Sequence, residues 1–434
     1  MKGAGFLPEI SSDSAIRGAD ARSRRLGLIV VLAFIAGCAY VPLPPLGGDR
    51  TVRNLDPDEQ ALWKESRELQ HKVEIAGLLF EDPELDAYLA EVMARVTPPE
   101  VAAATLYPQV RVISDVNFHG YSFANGVIYI HTALLSRMTN ETQLATVLSR
   151  ELAHVINRHA LRTRRDKRTQ ADTLAWIGVG ASVVQGGGTY KLLAQAASIT
   201  SIAGFHYLLE TAADEKGLEL LAAAGYDVRD TPAFFQMTVD HLAEVHSQGL
   251  WGWVAFNPPA AMTARIAGYE NLIATRYADE RATRPPIADS TAFRRKMLSA
   301  TIRQVDLELA AGLFVSAEIT GRLAVESNPK NPRVQILLGR ALAGQRGKPI
   351  PGRPPPSIQS VRACYEEALR LAPRNPIATR ELGMSYYRTT GSARSAEATA
   401  QALRYLRRYL SLQPNASDAD YVRVYIGELE TGSR

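Results

Sequence analysis

Residues 141–160, "ETQLATVLSRELAHVINRHA", constrain the fold more than any other stretch of the chain. Leu144, Val147, Leu148, Leu152 and Val155 share one side of a helical wheel, which predicts an amphipathic helix from about 141 to 160 packed into a core. Asn140 is a favourable N-cap, and Gln143 three residues later completes a capping-box pattern. Glu151 falls inside the apolar stripe. A carboxylate there is costly unless a cation or hydrogen-bond donor meets it. Two readings follow from the wheel alone: a functional carboxylate, or a structural ion pair with Arg150 or Arg158.

The flanking sequence suggests the surroundings of this helix. Residues 55–100 carry apolar positions at helical spacing, while "PQVRVISD" and "NGVIYIHTALL" are β-branched and read as strands, with Asn125-Gly126 as a tight turn. "FHYLLETAADEKGLELLAAAGYD" predicts a second helix, closed by Gly225. On it His206, Glu210 and Asp214 stand at i, i+4 and i+8 and share one ridge. The Ala- and Gly-rich stretch 171–204 is broken by Gly186, Gly187 and Gly188 into halves too short to span a bilayer, and reads as a packed loop or helical hairpin.

At 434 residues the chain should form two or three domains, and 46% hydrophobic with 22% charged residues is a globular mixture. The net charge of +4 is too small to argue for nucleic acid. Four arginines up to Arg25 precede a short apolar run, Leu26 to Ala36, that ends in "IAGC", the layout of a secretion signal over residues 1–37. The small residues before Cys38 resemble a bacterial lipobox, so Cys38 is the expected lipidation site. Ala39 after it favours the outer membrane. Residues 38–54 then read as a tether. The other cysteine is Cys364, so a lipidated Cys38 leaves no internal disulfide.

Residues 281–300 read as a linker, and 301–434 as helical repeats. Prolines 329, 373 and 414 each separate a helix end from a new helix, at spacings of 44 and 41 residues, against about 34 in a tetratricopeptide repeat. Pro-rich and small-residue inserts account for the excess. A plain helical bundle is the alternative. Stacked helix pairs would offer a surface for a protein or peptide.

"RELAH", residues 150–154, is one residue from H-E-x-x-H, in which two histidines at i and i+4 chelate zinc and the Glu activates the metal-bound water. With "ETAADEKGLELLAAAGYD" about fifty residues later, and "GYSFANGVIYIHTALL" upstream, the chain resembles the zinc metallopeptidases of peptidase family M forty-eight, which include the CAAX prenyl proteases and heat-shock membrane proteases. The resemblance covers roughly residues 55–280 and is greatest to a periplasmic lipoprotein branch. It implies a mainly α fold with a small β-sheet, a zincin-like domain, followed here by the tetratricopeptide-like region. It implies Glu151 as general base, His154 and Glu210 as zinc ligands, and Asp214 as a carboxylate that braces His154.

Two positions depart from that pattern. Arg150 replaces the first histidine ligand, and Asn257, in "FNPPAAMTARI", stands where the family often has a His. A guanidinium has no lone pair for a metal. Beside Zn²⁺ at 4 Å it would be repelled by roughly 8 kcal/mol at an effective dielectric near 20. In a metal-free cleft the same group would neutralise Glu151, Glu210 or both. His206 is a possible substitute ligand. His159, five residues past His154, should turn away from it by about 140° on a continuous helix. The expectation is therefore a pseudopeptidase without zinc, acting as a scaffold or chaperone-like factor in envelope quality control. It would meet envelope proteins or peptides through cleft and repeats and the membrane through its lipid. The alternatives are a working zinc endopeptidase with an altered ligand set, and a repeat-based interaction protein.

Overall fold

Proline opens each of the first three helices: α1 (Pro57–Ile75), α2 (Pro83–Val96) and α3 (Pro99–Ala103). At the first helical position its fixed φ is already suitable and its missing N–H has no partner to lose. The structure of the chain is a computed structural model, and it describes residues 43–47, 51–167, 207–247, 259–278, 290–347, 353–388 and 395–431. Cys38 and the expected signal, the 171–204 stretch, His206 and Asn257 lie outside the described residues.

The two expected strands are β1 (Gln109–Ile113) and β3 (Val127–His131), paired in parallel, and a short β2 (Gly120–Ser122) adds to β3 antiparallel, giving the order β1-β3-β2. Helix α4 (Thr132–Arg137) follows β3 directly. Helix α5 (Glu141–Ile156) then packs against β2, β3, α2 and α7 (Tyr207–Ala223). Its five stripe residues are all buried, each contributing about 1.5–3 kcal/mol. Asn140 caps it as expected, accepting from the Gln143 amide at 3.0 Å. The reciprocal bond differs, for the Gln143 side chain accepts from Thr139 N at 2.9 Å, one residue before the cap.

The expected single helix to residue 160 is two helices. Asn157 and Arg158 interrupt it, Arg158 at φ 56°, and α6 (His159–Lys167) sets off anew. A left-handed arginine costs about 1–2 kcal/mol. The offset is its buried side chain, which donates from Nε to Glu59 Oε1 at 2.8 Å and from Nη2 to Asp56 Oδ2 at 3.3 Å. Within the expected tether, Leu46 is buried and its N–H donates to Ile156 O at 2.8 Å, so that residue is fastened to the end of α5.

Helices α8 (Thr231–Ser247) and α9 (Pro259–Arg276) complete the first half, and Gly225 at φ +82° closes α7 as the sequence suggests. The stretch read as a linker is helical from Thr291: α10 (Thr291–Lys296) is capped by the Ser290 side chain, and α11 begins at Leu298. From there α11 (Leu298–Ala310), α12 (Phe314–Ser327), α13 (Pro332–Gly347), α14 (Ile358–Leu371), α15 (Pro376–Tyr387), α16 (Ala396–Leu412) and α17 (Ala419–Thr431) each pack on the next. Prolines 329, 373 and 414 all fall in connectors, after α12, α14 and α16. The chain is mainly helical with a small sheet, as its periodicities require.

Candidate functional site

The site forms where α7 crosses α5. Gly217 makes the crossing possible, since a Cβ there would lie 2.9 Å from the Arg150 Cα. The approach brings three carboxylates to one guanidinium. Arg150 donates from Nη1 to Glu151 Oε1 at 2.8 Å, from Nε to Asp214 Oδ1 at 3.0 Å, and from Nη2 to Glu210. Glu151, 1% exposed, also accepts from Ser122 Oγ of β2 at 2.9 Å. A second guanidinium, Arg265 of α9, donates from Nε to Asp214 Oδ2 at 2.9 Å and lies over the Phe235 ring at 4.5 Å. Tyr269 Oη donates to Asp214 Oδ1 at 2.8 Å.

Burial by itself would lower the guanidinium pKa of Arg150. Glu210, Asp214 and Glu151 overcome that and hold it above its usual range. His154 is pushed the other way: burial, then Arg150, His159 and Arg265, lower its pKa and keep the ring neutral. His159 falls to about 4 for the same reasons, burial first and then Arg162 and Arg150.

Arg150, Glu151, Glu210 and Asp214 thus meet, and the arginine bonds to both carboxylates expected of it. Two expectations are corrected. Asp214 turns its oxygens to Arg150, Arg265 and Tyr269 and does not brace His154. His159 does not point away: the break at Arg158 turns its ring back, and the two Nδ1 atoms stand 2.9 Å apart. Sequence reasoning also missed Ser122, Arg265 and Tyr269. The last two lie at i and i+4 on one helix, the same signal that marked Glu210 and Asp214.

Zinc does not fit these side chains as they stand. Among the described residues no three His, Cys, Asp or Glu side chains are grouped to hold a metal. The decisive observation is what sits there instead, a cation already bonded to Glu151, Glu210 and Asp214. A divalent ion would have to displace it.

A family model described as peptidase family M48 matches residues 83–289, the part of the chain that carries α5, α7 and Arg265. This part of the chain is a peptidase family M48 domain. The chain is similar to the "Beta-barrel assembly-enhancing protease" of Escherichia coli (strain K12), 27% identical over 168 residues, which are 37% of this chain and 34% of that protein. It is similar to the protein of the same name from Yersinia pestis, at 29% over 168 residues with the same shares. The "Mitochondrial metalloendopeptidase OMA1" of Arabidopsis thaliana is 22% identical over 165 residues, 38% of this chain and 32% of that protein. The chain spans about a third of the length of these relatives. Within the matched segment, Arg150 thus lies between three carboxylates, Glu151, Glu210 and Asp214.

Proposed function

We propose that this chain is a pseudopeptidase of the bacterial envelope. It is lipid-anchored at Cys38, faces the periplasm from the outer membrane, and uses its M48 domain as a scaffold or chaperone-like factor for other envelope proteins. The observation that carries the reading is the Arg150 guanidinium, bonded to Glu151, Glu210 and Asp214. It supplies the positive charge that the carboxylates need, yet offers no lone pair to a metal and activates no water. Such a cleft binds without hydrolysing. The names of the Escherichia coli and Yersinia pestis relatives support a client of the envelope class. The proline-marked helix pairs beyond residue 298, tetratricopeptide-like in layout, add a second surface for it.

The test is the purified chain, dialysed against zinc and then incubated with an unfolded outer-membrane β-barrel protein. Expected are substoichiometric zinc, less aggregation of the client and no cleavage products. Stoichiometric zinc, with cleavage that a chelator stops, overturns the reading in favour of an enzyme with an altered ligand set.

A further inference from the structure

A buried polar joint ties the M48 domain to the helices that follow it. Its members come from α4 and α8, inside residues 83–289, and from α11 and α12 beyond them. Arg137 of α4 donates from Nη1 and Nη2 to the two oxygens of Glu244 on α8, at 3.0 Å each, and from Nε to Thr320 Oγ1 on α12 at 3.1 Å. Thr320 Oγ1 donates in turn to Glu308 Oε1 on α11 at 3.2 Å. The same oxygen accepts from Gln304 Nε2 at 3.0 Å, and Gln304 Oε1 accepts from Thr132 Oγ1 of α4 at 2.8 Å. Arg137, Thr320, Glu308 and Gln304 are all buried.

Among the described residues the charges in this joint do not balance. One guanidinium faces two carboxylates, and its fork is already matched to Glu244. Glu308 Oε2 has no hydrogen-bond partner among the described residues. The other described charged groups on α11 and the helices packed against it are engaged elsewhere, Arg303 with Ser114, Arg340 with Glu381 and Arg346 with Pro356 O among them. Glu318 of α12 is held by Arg322 and Arg353, and Arg333 of α13 by Asp306. On α10, Arg294 faces Glu326, Arg295 donates to Ser327 O, and Lys296 lies over Tyr88. His241 of α8, beside the Arg137–Glu244 pair, stacks on Phe118 at 4.1 Å, and burial lowers its pKa to about 3, so it brings no charge. An ionised carboxylate in such a place is costly, and a neutral acid is far less so.

We propose that this joint is a proton-operated latch: Glu308 holds α11 and α12 against the M48 domain as a neutral acid, and its ionisation loosens them. Burial, partly opposed by Arg137, raises the Glu308 carboxyl from 4.5 to about 7. In an opened joint the group faces water with its ordinary value. Opening therefore releases a proton between pH 4.5 and about 7. The contribution of Glu308 to the closed joint is complete in acid and is lost as pH rises through that window, with no further loss above it. This inference does not depend on whether the cleft binds zinc.

The test is amide hydrogen exchange in α11 and α12 of the whole chain, wild type against Glu308→Gln, whose amide keeps the shape and stays neutral. The wild-type opening constant divided by that of the variant should rise about ten-fold per pH unit from pH 4.5 to 7 and then level off. The ratio cancels every other titrating group, His241 included. A constant ratio overturns the latch. Infrared difference spectra, wild type minus Glu308→Gln, give a second reading: a protonated-carboxyl C=O band at about pH 5.5, fading as pH passes about 7. Absence of that band also overturns it.

Discussion

Gly217 and Arg150 meet backbone to backbone, a Cβ on the glycine falling 2.9 Å from the arginine Cα and 3.2 Å from its amide nitrogen. That closeness puts the guanidinium within reach of Glu210 and Asp214, on the preceding turns of α7. Gly217→Ala must push the helices apart. The expected loss is about 1–3 kcal/mol in urea unfolding, the usual range for an overpacked contact. A variant as stable as wild type would show that the crossing gives way freely.

Arg150→Leu should destabilise the domain by roughly 3–5 kcal/mol, because it removes the guanidinium bonded to buried Glu151 and to Glu210, while Asp214 keeps Arg265. Arg150→Lys keeps the charge but not the planar fork that reaches three carboxylates, so it should fall between leucine and wild type. Thermal denaturation of the three proteins gives the order. A leucine variant that melts with the wild type contradicts the proposed role of the arginine.

Restoring the motif with Arg150→His should bring zinc binding back, because His154 and Glu210 remain and one ligand is replaced. Equilibrium dialysis with metal analysis reads the outcome. Peptidase activity should stay low while residue 257 is an asparagine. Failure to take up zinc would argue against Glu210 as a ligand position.

Acid should unfold the protein steeply. Burial lowers the pKa of His119 to about 4, and those of His131 and His241 to about 3, from 6.5. Each ring is neutral when folded and takes up a proton when unfolded, so its share of stability is present above pH 6.5 and lost as pH falls towards about 4 for His119 and about 3 for His131 and His241. The slope approaches about 1.4 kcal/mol per pH unit for each ring. Glu308 acts in the opposite direction below pH 7, but three rings outweigh one carboxyl. Melting temperatures between pH 7 and 4.5 should therefore drop steadily. A flat profile would mean that the rings find partners when protonated.

On the proposed lipid anchor, Cys38→Ser should free the protein from the membrane. Several acyl chains at about 0.8 kcal/mol per buried CH₂ would otherwise hold it firmly. Membrane fractionation after a carbonate wash checks this. A variant that stays in the pellet points to the 171–204 stretch as an anchor.

Periodicity and residue type marked β1, β3, most of α5 and α7, and the charged groups at the heart of the site. Helical periodicity put Glu151 in a buried stripe and Glu210 with Asp214 on one ridge. The family resemblance set Arg150 near Glu210 and Asp214, and the chemistry of a guanidinium then favoured ion pairs among them. Periodicity is a local property, carried by residues within two turns of each other, whereas Arg150 and Glu210 stand 60 positions apart. The partners of Arg158, Asp214 and His159 follow from packing between distant segments. Arg158 adopts its left-handed backbone because Glu59, 99 positions earlier, receives its side chain in the core, and that break turns His159 onto His154. Asp214 accepts from Arg265 and Tyr269, more than fifty residues away in sequence, because α9 packs beside α7. Glu308 and Arg137 share Thr320 although the chain places them far apart. Wheel geometry assumes an unbroken helix and sees no partner beyond it, and buried charges choose their partners by three-dimensional proximity.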